Sequence, residues 1–337
     1  MDGRGLHWPM AEPNVGDISV VLGDPKSETR RLIRGAMMAS GYRDIRECPD
    51  VKELENNLAS SVPPDLVITD TKMPGGDIFS VISKLRRGEI GDNPFVPVIM
   101  LTWDANADII RKAAGCGVDD ILAAPISPSD LFGRIKALVA RRKPFVVTSD
   151  YIGPDRRRDA VRGGPDSIPL IDVPNTLRSK AKGEPISVAD LKAAVGQVMT
   201  EINDQRLVRH SYQINFLVGM ILPAYQEGKV PPEIRVHVTR LSDVAAEVEG
   251  RLAGSRFEHV GELSRTMSSV AQSIRGNWRE PNRKDVELLK PLSQSILAGF
   301  NPDKDSSDMA GEINSMVSKF SGKVNEEARR EIEDAAK

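Results

Sequence analysis

Four short apolar runs in the first half of the chain alternate with stretches whose apolar residues recur at helical spacing. The runs have the length of buried strands and cover residues 18–22, 66–69, 96–101 and 121–123. Residues 43–48 supply a weaker fifth strand. The stretch after the first run has Leu32, Ile33, Ala36 and Met37 on one helical face, and comparable faces follow later in the chain. The pattern therefore predicts five strand–helix repeats.

A helix between two consecutive strands is a crossover connection, and neighbouring parallel strands need such a connection. The repeats therefore predict parallel strands. Right-handed crossovers place helices on both faces of the sheet. We therefore predict an α/β domain with a flavodoxin-like, doubly wound, five-stranded parallel sheet. Ligands of such sheets lie outside the carboxyl ends of the strands, so the functional residues are expected there.

Composition and periodicity divide the chain into segments. Residues 143–186 are interrupted by many Pro and Gly residues, whereas helical spacing without any strand pattern returns at Ser187. We predict a flexible leader at 1–16, the α/β domain at 17–142, a linker at 143–186, an all-α domain at 187–322 and a polar tail at 323–337. The expected helices begin at Ser187 and lie near 207–226, 232–252, 259–275, 284–297 and 309–320.

Charge and cysteine content narrow the classes of function. A formal net charge of −2 argues against a surface devoted to nucleic acid, so DNA binding is not expected. Cys48 and Cys116 lack metal-ligand spacing and predict neither a zinc site nor a disulfide. The most apolar stretch, 214–225, is too short to span a bilayer, and no targeting segment precedes the first strand. We therefore expect a cytoplasmic protein without a membrane span.

Three predicted strands end in residues suited to phosphoryl chemistry. Asp24 ends the first strand, Asp70 ends the third and Thr102 ends the fourth, so their side chains converge at one edge of the sheet. An aspartate can attack a phosphoryl group to form an aspartyl phosphate, and a divalent cation held by a second acid assists that reaction. The Thr102 hydroxyl is suited to donate a hydrogen bond to the phosphoryl oxygens.

These residues resemble the receiver domains of bacterial two-component response regulators. The match includes the strand that ends at Asp70, the Met73-Pro74-Gly75 turn after it, and the spacing from Asp70 to Thr102 and Pro125. The run at 93–102 and the later sequence Tyr-Ile-Gly-Pro-Asp-Arg-Arg at 151–157 resemble one subfamily that carries a GPDRR linker motif.

The resemblance implies a CheY-like domain with a defined set of site residues. Asp70 is the phospho-acceptor and Thr102 contacts the phosphoryl group. Mg²⁺ is bound by Asp24, Asp70 and the backbone carbonyl of Lys72. Because this chain has only one of the two adjacent acids that the family has after the first strand, we expect this cation to bind weakly.

The sequence departs from the family pattern at several site positions. The family has two adjacent acids after the first strand, whereas this chain has Asp24 and Pro25, or Gly23 and Asp24 if the alignment slips by one residue. The family lysine that pairs with the phosphoryl group corresponds to Ala124, and its aromatic switch residue corresponds to Ile121.

Two further features of the site follow from the same comparison. Trp103 replaces the usual small residue after Thr102. Lys26 and Lys72 both lie in predicted loops beside the strand ends. We hypothesise that one of these lysines supplies the missing positive charge; the alternative is that both are ordinary solvated loop residues.

The interpretation that we favour is a response regulator of a two-component phosphorelay. It would accept a phosphoryl group from a sensor histidine kinase or phosphotransfer protein and signal through protein contacts of its helical domain. The alternative is a pseudo-receiver, which acts as a phosphorylation-independent scaffold. Catalysis beyond self-phosphoryl transfer onto Asp70 is not expected. The resemblance also suggests a homodimer.

Two residues or segments outside this site have open interpretations. His210 on a predicted helix is either a phosphotransfer histidine or, as we favour, a core residue. The basic triplet at 156–158 is either a protein-interaction motif or a solvated charge run.

Overall fold

The computed structural model describes residues 15–104, 106–157 and 168–302. The chain divides into two compact units, residues 1–199 and 200–337. The predicted helix at 309–320, the polar tail, Arg158 and nearly all of the predicted leader lie outside the described residues.

The first unit is built on a parallel five-stranded sheet in the order β2-β1-β3-β4-β5. Its strands are β1 (Ser19–Gly23), β2 (Asp44–Cys48), β3 (Leu66–Asp70), β4 (Val98–Thr102) and β5 (Asp120–Ala123). The helices between and after them are α1 (Ser27–Ala39), α2 (Val51–Leu58), α3 (Ile78–Arg86), α4 (Ala107–Gly115) and α5 (Pro128–Arg141). The predicted flavodoxin-like, doubly wound fold is confirmed.

Both faces of the sheet are buried, because successive strand residues point to opposite sides. Val20, Leu66 and Ile99 pack on one face against α1 and α5. Val21 and Val67 pack on the other face against α2, α3 and α4. This burial explains why the three central strands, β1, β3 and β4, read as nearly continuous apolar runs rather than as alternating patterns.

The segment predicted as a linker contains regular structure. It holds an antiparallel strand pair, β6 (Phe145–Val147) and β7 (Ile152–Pro154), and the helix α6 (Thr176–Ala181). Leu177 of α6 is fully buried in the core that α1 and α5 share. The prediction of a linker is therefore corrected at these elements. Their apolar residues were too few and too closely interrupted by Pro and Gly to produce a periodic pattern.

The described part of the second unit is helical. It contains most of α7 (Val188–Gln226), together with α8 (Ile234–Arg251), a 3-10 turn (Glu258–Val260), α9 (Gly261–Gly276) and α10 (Arg283–Phe300). The helix expected at Ser187 and the helix expected at 207–226 form the single helix α7, because no Gly or Pro separates them.

The core of this second unit comes from one face of each helix. Its members include Leu217 of α7, Leu241 of α8, Met267 of α9 and Ile296 of α10. The all-α prediction is confirmed for the described residues of this unit. None of the helices in the described ranges combines the length and apolar character that a membrane crossing requires.

Candidate functional site

The strand register places Asp24 and Asp70 side by side at the carboxyl edge of the sheet. Gly23, the last residue of β1, pairs with Thr69 in β3, so Asp24 and Asp70 are the next residues along the two strands. Both side chains are buried, with 1% and 3% of their surface exposed. Two carboxylates therefore share a confined, polar edge, as the sequence predicted.

Backbone amides of the following loops hold each carboxylate. The Lys26 N–H donates to Asp24 Oδ1 at 2.7 Å, and the Lys72 N–H donates to Asp70 Oδ1 at 2.6 Å. The second oxygen of Asp24, Oδ2, is buried and has no hydrogen-bond partner in the described part of the chain. A buried carboxylate oxygen without a donor is costly, so this atom is suited to a ligand of positive charge.

Burial raises the pKa of both carboxyl groups, because it disfavours their charged forms. The neighbouring charge of Asp70 raises the pKa of Asp24 further, while the Lys26 amide and the charges of Lys26 and Arg30 oppose this effect. For Asp70, the Lys72 amide and the charges of Lys26 and Lys72 act in the lowering direction. Adjacent acids with raised pKa values are typical of functional sites.

Thr102 lies at the same edge, but its hydroxyl is engaged in its own loop. The hydroxyl donates to the Asp104 carbonyl at 2.9 Å and accepts from the Asp104 N–H at 3.2 Å. The Thr71 hydroxyl also donates to it at 3.2 Å. To contact a phosphoryl group, Thr102 would have to rotate away from the Asp104 carbonyl.

The two lysines differ in their surroundings. Lys72 Nζ lies 3.4 Å from Asp104 Oδ2 in an exposed ion pair. Lys26 Nζ lies 4.6 Å from the ring centroid of Trp103, whose side chain is 55% exposed. Trp103 is therefore a surface residue, and its ring contacts a cation beside the acidic edge.

The positions that depart from the family pattern lack charged side chains. Ala124 follows β5, where its N–H donates to the Thr102 carbonyl at 2.7 Å, and its side chain carries no charge. At Gly23, a Cβ atom would lie 2.8 Å from Leu54 Cδ1, so a side chain at this position would require Leu54 to shift. Asp24 is therefore the acid that β1 contributes.

The donor set fits a weakly held divalent cation. The described residues contain no group of three or more His, Cys, Asp or Glu side chains arranged to hold a metal ion. Mg²⁺ commonly binds one or two carboxylates together with water and phosphate oxygens. Asp24 and Asp70 supply two carboxylates, and the unsatisfied Oδ2 of Asp24 is a fitting ligand atom.

Comparison with known protein families assigns the α/β unit. The family model of the response regulator receiver domain matches residues 20–136, which include Asp24, Asp70 and Thr102. These residues form a receiver domain. Receiver domains are signalling domains of two-component systems, are generally not enzymes, and interact with histidine kinases or phosphotransfer proteins.

Curated relatives match a little over a third of the chain. The phosphate regulon transcriptional regulatory protein PhoB of Pseudomonas aeruginosa is 29% identical over 128 residues, which are 37% of this chain and 53% of the relative. The chemotaxis protein CheY1 of Helicobacter pylori is 25% identical over 124 residues, which are 36% of this chain and 97% of the relative. The chain thus spans about half the length of the PhoB relatives that it matches.

Solved structures of receiver domains also match part of this chain. Chemotaxis protein CheY4 of Vibrio cholerae has 21% sequence identity and a TM-score of 0.32, with 35% of this chain and 97% of that chain covered.

The GPDRR segment packs on the opposite, amino-terminal edge of the receiver domain. Asp155 is fully buried and pairs with Arg157 Nε at 2.9 Å, while Arg156 Nη2 donates to the Val118 carbonyl at 2.5 Å. Gly153 lies so close to Gly117 that a Cβ atom on Gly153 would be 2.8 Å from the Gly117 Cα. In the described residues, both arginines therefore bond within the receiver unit, which does not favour the protein-interaction interpretation.

Sequence reasoning missed the buried charges that this segment covers. Arg86 donates to the carbonyls of Gly117, Pro94 and Val96, at 2.7 to 2.8 Å. Its guanidinium and that of Arg142 both pair with the Asp119 carboxylate. Arg86 follows the apolar spacing of α3 as position i+4 after Ile82, and this was the available signal that it faces the core.

His210 is buried in the helical unit. Its Nε2 lies 3.5 Å from Glu247 Oε2, and none of its surface is exposed. A histidine that transfers phosphate to another protein must be accessible to that protein. The structure therefore favours the interpretation of His210 as a core residue.

Proposed function

We propose that this chain is a response regulator that accepts a phosphoryl group on Asp70 and signals through protein contacts of its helical unit. The observation that carries the proposal is the pair of adjacent buried carboxylates, Asp24 and Asp70, at the carboxyl edge of a receiver domain. Asp104 and Lys72 line the same edge and leave it polar.

In the proposed reaction, a carboxylate oxygen of Asp70 attacks the phosphorus atom of a phosphohistidine on a kinase or phosphotransfer protein. A new P–O bond forms as the P–N bond breaks, and the electron pair of that bond stays on the imidazole nitrogen. The Lys72 amide holds Asp70 Oδ1 in place at 2.6 Å, which fixes the direction of attack.

Asp24, Asp70 and the Lys72 backbone carbonyl are the proposed ligands of Mg²⁺. When bound, the cation would supply positive charge to the transferring phosphoryl group. The residues of the chain also contribute to this step directly. Asp24 is held by the Lys26 amide, and Thr102 would turn its hydroxyl from the Asp104 carbonyl toward the phosphoryl oxygens.

A scaffold that works without phosphorylation is the second candidate. Ala124 favours it, because this position carries no charge for the phosphoryl group. The hydrogen bonds of Thr102 within its own loop point the same way. The two candidates differ in one measurable property, which is the ability of Asp70 to hold a phosphoryl mimic.

Fluorine NMR with Mg²⁺ and beryllofluoride tests this property without knowledge of the kinase. We expect a bound fluorine signal with the native protein and none with Asp70→Ala. Absence of the signal from a folded native protein would instead favour the scaffold. Asp108→Ala is a suitable control, since Asp108 lies exposed on α4 and pairs only with the exposed Arg111 among the described ion pairs.

The output role of the helical unit has its own test. Hydrogen exchange measured with and without beryllofluoride reports whether the site affects residues 200–302. We expect exchange in these helices to change for the native protein and to stay constant for Asp70→Ala. Constant exchange in both proteins would contradict signal transfer to the helical unit.

A further inference from the structure

The acidic edge of the receiver domain lacks the lysine that its family uses, which raises the question of which cation replaces it. Ala124 follows β5 and carries no charge. Two lysines lie in loops at this edge: Lys26 follows β1 and Lys72 follows β3. Their contacts distinguish them.

Lys72 is paired with a carboxylate other than Asp24 and Asp70. Its Nζ lies 3.4 Å from Asp104 Oδ2, in the loop after β4, and its side chain is 64% exposed. The ammonium of Lys72 therefore already has a partner of opposite charge. The backbone of Lys72, by contrast, faces Asp70, because its N–H donates to Asp70 Oδ1.

The contact between Lys26 and Trp103 spans the site. The backbone of Lys26 is tied to Asp24 Oδ1, beside the end of β1, while its Nζ lies 4.6 Å from the ring of Trp103, directly after β4. In the sheet, β3 lies between β1 and β4. Neighbouring strands are about 4.8 Å apart, so a contact between the two loops covers about 10 Å and passes over the end of β3. Asp70 is the residue at that end.

The electrostatics agree with this path. Among the charged groups that act on the pKa of Asp70, Lys26 has the largest lowering effect, followed by Lys72. Lys26 also acts on Asp24 in the same direction. The charge of Lys26 thus acts on both carboxylates. The Trp103 ring holds the ammonium only by a cation–π contact at an exposed site, which is a weak interaction.

We propose that Lys26 is the residue that donates to the phosphoryl oxygens on Asp70, with Trp103 holding its side chain over the site until the phosphoryl group arrives. The ammonium leaves the ring and forms charge-assisted hydrogen bonds to the phosphoryl oxygens, which are stronger than the cation–π contact. No covalent bond changes in this step. The inference rests on the proposed function of Asp70 as acceptor.

The test compares the affinity of beryllofluoride for four full-length proteins at fixed Mg²⁺, by fluorine NMR. Lys26→Gln removes the charge, Lys26→Arg keeps it, and Lys112→Gln removes the charge of an exposed lysine on α4, outside the site, as the matched control. We expect Lys26→Gln to bind about tenfold to a hundredfold more weakly than the native protein, as is typical when one charged contact is lost. Lys26→Arg and Lys112→Gln should stay within about threefold.

A second measurement separates this role from a structural one. Lys26 repels a cation at the two carboxylates, so Lys26→Gln should bind Mg²⁺ alone about two- to fivefold more tightly by calorimetry. A misfolded site would bind both Mg²⁺ and beryllofluoride less tightly, not with opposite changes. Thermal melting checks that the variant is folded, and Lys26 is exposed, so the fold should be unaffected.

The outcomes distinguish the two proposals. Native protein that binds no beryllofluoride contradicts Asp70 as acceptor, and the role of Lys26 with it. Native protein that binds, together with Lys26→Gln of equal affinity, contradicts the role of Lys26 alone. The same conclusion follows if Lys26→Arg binds as weakly as Lys26→Gln, because charge would then not be the property that matters.

Discussion

Arg86 and Asp119 form an ion pair at 3.0 Å in which both side chains are only 1% exposed. Arg86 lies at the end of α3 and Asp119 directly precedes β5, so the pair joins two elements on the amino-terminal edge of the receiver domain. Phe145 of β6 covers it, with its ring 5.3 Å from the Arg86 guanidinium carbon. The edge opposite the acidic site is thus closed by the GPDRR segment and the strands beside it.

We expect Arg86→Ala to lower the free energy of unfolding of the receiver unit by about 3–5 kcal/mol. The variant leaves three buried carbonyl oxygens without their donor and removes one of the two arginine partners of Asp119. Urea unfolding followed by circular dichroism measures this loss.

The adjacent arginine supplies the control. Arg87 pairs with Glu89 in a partly exposed ion pair, so Arg87→Ala should change the free energy of unfolding by less than about 1 kcal/mol. Equal effects of the two substitutions would show that the buried network does not stabilise this edge.

Asp24 is expected to destabilise the folded protein at neutral pH. Burial and the charge of Asp70 raise its pKa above the ordinary 3.8, so the native state binds this proton more tightly than the unfolded state. The free energy of unfolding therefore falls as pH rises from 3.8 through the raised native value. We expect Asp24→Asn to be more stable than the native protein at pH 7, and the difference to disappear below pH 3.8.

Thermal melting across this pH range, with and without Mg²⁺, measures both effects. Mg²⁺ should raise the melting temperature of the native protein more than that of Asp24→Asn, which lacks one anionic ligand. Asp108→Asn is the control, because the Asp108 side chain is 79% exposed. A loss of stability in Asp24→Asn would contradict the proposed repulsion between the two carboxylates.

Glu247 makes the stability of the helical unit depend on pH with a sign opposite to that of Asp24. His210, together with Arg206 and Arg251, holds the pKa of Glu247 at about 2, against the raising effect of burial. The stabilisation is present above the ordinary value of 4.5 and is lost as pH falls from 4.5 toward 2. After allowance for its partial exposure, we expect Glu247→Gln to cost about 1–2 kcal/mol at pH 7.

Urea unfolding at pH 7 and at pH 3 measures this difference, which should be smaller at the lower pH. Glu249→Gln is the matched control, because Glu249 and its partner Arg265 are exposed and 3.7 Å apart. A pH-independent cost for Glu247→Gln would mean that its ion pairs do not account for the stability of this region.

The acidic site was predictable from the sequence because it depends on which residues follow each strand along the chain. Asp24, Asp70 and Thr102 each follow or end an apolar run, and the parallel topology brings strand ends together. The amino-terminal edge was not predictable in the same way. The spacing of Arg86 in α3 indicates that it faces the core, but it does not identify a partner for the charge. Only the fold brings Asp119 and Phe145 to it from distant parts of the chain. The contact between Lys26 and Trp103 likewise joins loops that are far apart in sequence.

Restoring a lysine at position 124 tests whether the site lacks only charge. Ala124 is partly buried directly after β5, and β5 pairs with β4 so that Ala123 lies beside Thr102. We expect Ala124→Lys to strengthen beryllofluoride binding about tenfold, because a second ammonium would reach the phosphoryl oxygens. It should also make binding less sensitive to Lys26→Gln, since either lysine could then contact the same oxygens.

Ala123→Lys is the control for this gain, because consecutive strand residues face opposite sides of a sheet. Ala123 is exposed and should accept a lysine without loss of stability. Its charge raises the general positive potential of the edge but does not reach the bound group, so we expect a change of less than about threefold. An equal gain from both variants would mean that long-range charge, rather than a contact at position 124, strengthens binding. Fluorine NMR titration of the two variants beside the native protein distinguishes these cases.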